Sequence, residues 1–224
     1  MIQTMLRTHA PFVTISANHS MMTRPLLLLL FSLIPSFFPA ASAAGEGSAA
    51  GQSKSIVCSA CHGANGISTN PIWPNLAGQH ASYLLQQLKH YKEGKTRPAP
   101  MMSPMVATLT ERDMEDLAEF YAKMPLGTAQ PRTKNVTLGK RLYRQGDLSK
   151  HVPACIACHG PDGRGAAQAG FPVISHQQPE YLIQQLQAFK TGVRTSDPLA
   201  IMRTTSAKLS TEDMRALADY LSTL

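Results

Sequence analysis

The chain has 224 residues, of which 43% are hydrophobic, and a formal net charge of +7 at pH 7. That apolar content is enough for one large domain or two small ones with hydrophobic cores. The positive charge is local, because residues 129–150 hold six basic residues and one acidic residue, whereas 44–128 and 151–224 each hold equal numbers of both. A nucleic-acid-binding protein spreads basic residues over a face. The charge pattern therefore argues against nucleic acid and favours a solvated connector.

Residues 1–43 have the pattern of a targeting segment. They contain no acidic residue, an apolar run at 26–31, and a stretch of small residues that ends at Ala43. This pattern predicts a secretory signal peptide that is cleaved near Ala43, and therefore export to the periplasm. A retained membrane anchor would need about 20 apolar residues and is the weaker interpretation, because two prolines interrupt the run. Met21 and Met22 would start a signal of more ordinary length, which points to an over-extended start.

The four cysteines form two pairs, and a histidine directly follows each pair: CSACH at 58–62 and CIACH at 155–159. This spacing is the signature of haem attachment. Two thiols three positions apart on one helical turn can add to the two vinyl groups of haem, and the next residue then places an imidazole under the iron. The signature predicts two covalently bound haem c groups. We predict that Cys58, Cys61, Cys155 and Cys158 form thioether bonds to the haems. We predict that His62 and His159 bind the irons.

Three other uses of paired cysteines fit the sequence less well. Disulfides occur in exported proteins, but they leave the two histidines unexplained. A zinc site usually places its Cys pairs about 15 to 20 residues apart, whereas Cys61 and Cys155 lie in different halves of the chain. A thioredoxin-like pair would require a βαβ pattern, which the sequence lacks.

The second half of the chain repeats the first. YLLQQLKHYKEGKTR at 83–97 matches YLIQQLQAFKTGVRT at 181–195, and LTERDMEDLAEFYA at 109–122 matches LSTEDMRALADYLS at 209–222. Apolar residues recur at helical spacing in all four segments, and alternating strand patterns are scarce. The repeat predicts an all-α protein with two similar domains. Their predicted bounds are 44–126 and 138–224, joined by a linker at 127–137.

Helix ends are also marked in both halves. The first helix of each pair ends near a glycine, Gly94 or Gly192, as helix C-caps do. The second helix follows Thr110 or Ser210, each of which stands three residues before an aspartate. This spacing predicts a capping box at the start of both closing helices.

The repeat distinguishes between the candidate sixth ligands of the irons. Methionine opposite histidine is the cytochrome c arrangement and raises the reduction potential. Met202 is the only methionine between the second haem motif and the closing helix, and it lies seven residues before LSTEDM. The equivalent residue of the first half is Met102. Met101 and Met105 align with other residue types, so they are predicted to be flexible apolar packing beside the haem.

The segments WPNLAGQ and FPVISHQ follow the two haem motifs at nearly the same distance. An iron-bound imidazole normally donates its other N–H to a carbonyl. The carbonyls of Pro74 and Pro172 are the predicted acceptors, with a simple turn as the alternative. Trp73 and Phe171 are predicted to pack on the haems. The other histidines of the two halves have no counterpart in the repeat, which favours surface or core positions for them.

Together these residues resemble the dihaem cytochrome c4 family, over about residues 47–224. The resemblance implies two class I cytochrome c domains related by a pseudo-twofold axis, with the haem propionates meeting at the domain interface. It also implies periplasmic electron transfer, often to a terminal oxidase, in soluble or loosely membrane-bound form. Carried onto this chain, the first haem belongs to Cys58, Cys61, His62 and Met102, and the second to Cys155, Cys158, His159 and Met202.

With both irons six-coordinate, no position is open for a substrate, so we expect an electron carrier and not an enzyme. Its expected partners are redox proteins such as a terminal oxidase or a quinol-oxidising complex. Two alternatives are a dihaem peroxidase-like enzyme with one five-coordinate iron and a haem-containing electron-transfer subunit of a larger dehydrogenase. The basic residues of 129–150 are expected to offset propionate charge or to orient an acidic partner.

Overall fold

The computed structural model describes residues 46–128 and 131–224, so the predicted signal peptide lies outside the described residues. No strand occurs within these ranges, only two isolated β-bridges, and the predicted all-α class is confirmed. None of the described helices combines the length and the apolar character needed to cross a membrane. The helices are α1 Glu46–Lys54, α2 Ile56–His62, α3 Ala81–Glu93, α4 Ser103–Val106, α5 Glu111–Ala122, α6 Val136–Gln145, α7 Ile156–His159, α8 Pro179–Lys190, α9 Ile201–Ser206 and α10 Thr211–Leu221, with 3₁₀ turns at Ala167–Ala169 and Pro198–Ala200.

In each domain the first helix crosses the last one at a glycine. Helix α1 packs on α5, and α6 packs on α10. A Cβ atom on Gly51 would lie 2.2 Å from the carbonyl oxygen of Asp116, and one on Gly139 would lie 1.9 Å from that of Ala216. The backbones can approach this closely only because these glycines lack a side chain. Sequence patterns did not predict α1, because small and polar residues fill it in place of an apolar stripe.

The closing helices α5 and α10 begin as the sequence predicts. The hydroxyls of Thr110 and Ser210 each accept a hydrogen bond from the backbone N–H three residues later, both at 3.1 Å. The aspartates at those positions, Asp113 and Asp213, accept in return from the cap N–H, which completes both capping boxes. Gly94 ends α3 with a φ of +67°, as predicted for a C-cap glycine.

Each domain has its own hydrophobic core around the closing helix. The first core contains Leu84, Leu117, Ala118 and Tyr121. The second is larger and contains Leu142, Tyr143, Val152, Leu182, Leu209, Met214, Leu217, Ala218, Tyr220 and Leu221. The two domains also contact each other through backbone hydrogen bonds, from Tyr181 N–H to the Pro71 carbonyl (3.1 Å) and from Thr195 N–H to the Thr96 carbonyl (2.7 Å). The second of these contacts joins the matching segments 83–97 and 181–195 of the repeat.

Candidate haem-binding sites

The cysteines of both motifs lie on short helical segments. Cys58 and Cys61 are on α2, whereas Cys155 precedes α7 and Cys158 lies within it. All four are half-buried free thiols, so the disulfide alternative is not formed. Burial raises the pKa of the Cys58 thiol, and it raises the pKa of Cys155 to about 11. These two thiols are therefore protonated at neutral pH.

Each motif histidine is held by the carbonyl that the repeat predicts. His62 Nδ1 donates to the Pro74 carbonyl at 2.8 Å, and His159 Nδ1 donates to the Pro172 carbonyl at 3.1 Å. Because a carbonyl can only accept, the proton is on Nδ1 and the lone pair of Nε2 is available to a metal. Burial lowers the pKa of both histidines, an effect that the proline carbonyls partly offset, so both rings are neutral at pH 7. These rings are prepared to act as metal ligands.

The aromatic residues beside the prolines are both half-buried. The ring centroid of Phe171 lies 6.1 Å from that of His159, with the planes tilted by 58°. Phe171 therefore lies against its motif histidine. Its contact with the haem, like that of Trp73, stays a prediction.

The methionine loops differ in sequence but match in burial. Met102 directly precedes α4 and Met202 lies in the first turn of α9, and both are half-buried. Met101 and Met105 expose 71% and 47% of their surface, so the protein core does not enclose them. The matched burial agrees with the repeat-based choice of Met102, and bonding to iron stays a prediction for both methionines.

Sequence patterns did not predict the polar cluster between the domains. The guanidinium groups of Arg97 and Arg194 are buried there, with only 4% and 5% of each residue exposed. Arg97 donates to Tyr181 Oη at 2.7 Å, and Arg194 donates to Tyr83 Oη at 2.9 Å, so each arginine contacts the tyrosine of the other domain. The repeat contains a signal for this cluster, because the tyrosines and the glutamines Gln87 and Gln185 stand at matching positions.

The arginine cluster lacks a counter-charge within the described residues. Both guanidinium groups donate to Gln87 Oε1, at 2.6 Å from Arg97 and 3.0 Å from Arg194, which places two positive charges side by side. Neither arginine forms an ion pair with a carboxylate in the described part of the chain. Buried charges normally have an ionic partner. Haem carries propionate carboxylates, so the cluster fits a haem pair at this interface.

The basic segment 129–150 divides into two parts. Its ends are paired, because Arg132 contacts Glu180 and Asp219, and Lys150 lies 2.8 Å from Asp213. Four cations of the segment are exposed and form no ion pair with another described residue: Lys134, Lys140, Arg141 and Arg144. Three of them lie on α6, on the side away from the buried Gly139, Leu142 and Tyr143. We call Lys140, Arg141 and Arg144 the α6 basic patch.

Comparisons with known proteins agree with this geometry. A cytochrome c family model matches residues 48–124 and again 136–224. A cytochrome c4 of Pseudomonas aeruginosa is 43% identical over 187 residues, which cover 82% of this chain and 91% of that protein. A thiosulfate dehydrogenase electron acceptor of Thiomonas intermedia is 36% identical over 179 residues, 78% of this chain and 81% of that protein. The crystal structure of reduced recombinant cytochrome c4 from Pseudomonas stutzeri superposes with a TM-score of 0.74 at 40% identity, over 79% of this chain and 98% of that one.

Proposed function

Because the chain belongs to the dihaem cytochrome c4 family and binds two covalent haem c groups, we propose that it carries single electrons between respiratory partners in the periplasm, towards a terminal oxidase. The observation that carries the proposal is the matched construction of the two sites. In each, a buried neutral histidine is fixed by a proline carbonyl, and a half-buried methionine stands at the equivalent place of the repeat.

We assign the first haem to Cys58, Cys61, His62 and Met102, and the second to Cys155, Cys158, His159 and Met202. We keep 44–126 and 138–224 as the bounds of the two domains, with 127–137 as the linker. Haem iron supplies one-electron redox chemistry when it is bound. A haem iron held by one of these histidines and one of these methionines would have no coordination position left for a substrate, so electron transfer would be outer-sphere.

The protein's own residues hold each site rigid. The hydrogen bond from each motif histidine to its proline carbonyl fixes the plane of the ring and increases the basicity of Nε2. In the second domain, Arg203 also donates to buried Asp197 from its backbone N–H (2.9 Å) and its side chain (2.8 Å), which holds the start of α9 and hence Met202 in place. A ligand set that moves little keeps the reorganisation on electron transfer small.

A redox titration with optical spectra tests this function on the purified holoprotein. We expect two haems per chain, both low-spin in the oxidised and reduced states, and no binding of carbon monoxide by the reduced protein. A high-spin signal from one haem in the untreated protein would contradict the carrier and favour the dihaem peroxidase-like enzyme.

A second candidate function is that of an electron-transfer subunit of a larger dehydrogenase. The observation that favours it is the 36% identity to a protein named as a thiosulfate dehydrogenase electron acceptor. Gentle purification from the native cell distinguishes the two functions. A dehydrogenase subunit would co-purify in stoichiometric amount with a catalytic chain, whereas a carrier would be isolated alone.

The proposed location rests on the predicted signal peptide at 1–43 together with the family. Cell fractionation and N-terminal sequencing test it, and we expect periplasmic protein that starts near Ala44. The family resemblance also implies loose association with a membrane surface. Sedimentation with anionic and neutral vesicles would detect it.

We assign the α6 basic patch to the docking of an acidic redox partner. Exposed cations steer association by long-range attraction, which salt screens. Changing Arg141 and Arg144 to glutamine should slow reduction by an acidic partner protein at low salt and weaken the dependence of its rate on salt. Lys95→Gln, an exposed cation of the other domain, is the matched control. An unchanged salt dependence in the double variant would contradict this assignment.

A further inference from the structure

Two glutamines at matching positions of the repeat cross the domain interface. Gln79 ends WPNLAGQ and Gln177 ends FPVISHQ, and both are buried, with 7% of each residue exposed. Each side chain extends into the other domain and hydrogen-bonds the backbone of one residue there. The proposed electron-transfer function assigns no role to either glutamine. The following inference rests on that proposed function.

The two contacts are reciprocal and have the same form. Gln177 Oε1 accepts from the N–H of Asn75 at 2.7 Å, and Gln177 Nε2 donates to the carbonyl of Asn75 at 3.0 Å. Gln79 Oε1 accepts from the N–H of Val173 at 2.9 Å, and Gln79 Nε2 donates to the carbonyl of Val173 at 2.8 Å. The repeat aligns Asn75 with Val173, so each glutamine binds the same backbone position of the opposite domain.

The contacted N–H groups belong to the peptide groups that hold the haem histidines. The N–H of Asn75 and the carbonyl of Pro74 are the two polar ends of one planar amide, and the Pro74 carbonyl accepts from His62 Nδ1 at 2.8 Å. In the other domain, the N–H of Val173 and the carbonyl of Pro172 form the same kind of unit. A chain of hydrogen bonds therefore runs from each glutamine, through one peptide group, to the histidine of the opposite domain.

Hydrogen bonds in such a chain strengthen one another. When an amide N–H donates to an acceptor, its carbonyl gains negative charge and becomes a better acceptor, by about 10–30% per bond. A stronger bond from Nδ1 makes the histidine a more electron-rich ligand, which favours the oxidised state of a bound iron. Both glutamines, Asn75 and Val173 are buried, which limits competition from water for these hydrogen bonds.

We propose that Gln79 and Gln177 are crossed positioning residues, each of which lowers the reduction potential of the haem in the opposite domain. Gln177, in the second domain, acts on the first haem through the Pro74–Asn75 peptide and His62. Gln79, in the first domain, acts on the second haem through the Pro172–Val173 peptide and His159. The domain interface thereby sets the potentials of both haems.

The test is Gln177→Met in the holoprotein, with the two haems followed separately by NMR during a redox titration. We expect the first haem to become easier to reduce by a factor of two to three in its equilibrium constant, a rise of about 20–30 mV at 59 mV per tenfold change. The second haem should not shift. The resonance of the His62 Nδ1 proton should move as expected for a weaker hydrogen bond, a readout that requires no partner protein.

Gln178→Met is the matched control. Gln178 is also buried and crosses the interface, where its Nε2 donates to the Ser68 carbonyl at 2.7 Å and to Asn75 Oδ1 at 3.2 Å, but its side chain does not contact the Pro74–Asn75 peptide. Its loss should loosen the interface to a similar degree and leave both potentials unchanged.

Several results would overturn the inference: no shift of the first haem in Gln177→Met, equal shifts of both haems, or the same shift in Gln178→Met. If Gln177→Met does not fold, Gln79→Met tests the inference with the two haems exchanged. A failure of the proposed function would be seen separately, as the absence of two low-spin haems in the unaltered protein.

Discussion

The two domains match closely on the histidine side of their haem motifs and differ on the methionine side. On the histidine side even the backbone contacts repeat, because Gly78 N–H donates to the Tyr121 carbonyl and His176 N–H donates to the Leu221 carbonyl, both at 3.0 Å. On the methionine side, the first domain has three methionines where the second has one, and only the second has the Asp197 contact that holds its helix. The contacts that fix each histidine ring therefore recur in both domains even where the side chains around them differ, whereas the segments that contain the candidate methionine ligands are held in different ways.

Removal of a predicted methionine ligand should give the largest difference between the domains. Met102→Ala should lower the potential of the first haem by more than about 60 mV, a tenfold change in its equilibrium constant, and open that iron to exogenous ligands. Met202→Ala should do the same to the second haem only. A redox titration with added carbon monoxide measures both effects. Met105→Leu is the control, and if it behaved as Met102→Ala, the repeat-based choice of ligand would be wrong.

The glycines at the helix crossings should be equally sensitive in both domains. Gly51→Ala and Gly139→Ala each place a Cβ atom against a carbonyl oxygen, at 2.2 and 1.9 Å. We expect each to reduce the free energy of unfolding of its own domain by about 3 kcal/mol, as overpacking does. Gly94→Ala is the control, since its Cβ would meet open space and only the left-handed φ costs about 1 kcal/mol. Denaturant unfolding measures these free energies. If Gly94→Ala lost as much stability as Gly51→Ala and Gly139→Ala, the close approach of the helix backbones at Gly51 and Gly139 would be contradicted.

Acid should destabilise the two domains to different degrees, because a lysine pairs with the capping-box aspartate of each domain. In the first domain, Lys54 lowers the pKa of Asp113. In the second domain, burial raises the pKa of Asp213, but the hydrogen bonds from Lys150 and from the Ser210 cap outweigh burial, so the pKa of Asp213 is also below its ordinary value. A carboxylate whose pKa is lower in the folded than in the unfolded chain stabilises the folded state above about pH 4, and this stability is lost as the pH falls through its pKa in the folded state.

Lys54→Met and Lys150→Met should therefore shift acid unfolding to higher pH. The shift should be larger for Lys54, which also contacts buried Asp116 at 2.6 Å. Circular dichroism between pH 6 and 2 measures it, and a shift to lower pH would contradict the ion pairs.

The smallest expected effect concerns one matched backbone position. His176 has a φ of +55° where the first domain has Gly78 at +72°. A non-glycine residue in this region costs about 1–2 kcal/mol, so His176→Gly should raise the free energy of unfolding by about 1 kcal/mol. His176→Ala keeps the Cβ atom and should bring no such gain. Gly78→Ala should be harmful, because its Cβ would lie 2.8 Å from Leu126 Cα. Thermal unfolding of the three variants checks this order.

Local patterns were sufficient for much of the fold and for the haem motifs. The capping boxes at Thr110 and Ser210, the glycine that ends α3, and the proline acceptors of both histidines all follow from residues within about 15 positions of one another. Helix α1 escaped prediction because its packing depends on the absence of a side chain at Gly51, and a missing side chain leaves no apolar periodicity.

The division of the basic segment could not be predicted either. Charge counting treats all six cations of 129–150 alike. Only the folded chain brings Asp219 to Arg132 and Asp213 to Lys150, and so leaves the α6 basic patch without ion pairs among the described residues.

Sequence motifs alone were sufficient to predict the cofactor of this protein. Two Cys-x-x-Cys-His motifs are sufficient to predict two haems and two histidine ligands, because these residues stand at a fixed local spacing. The alignment of the repeat then selects the two candidate methionines. The tertiary structure decided how the two halves meet. Gln177 and Asn75 are 102 positions apart, and Gln79 and Val173 are 94 apart. These contacts form only when the surfaces of the two domains dock, and no local sequence pattern predicts which residues then meet.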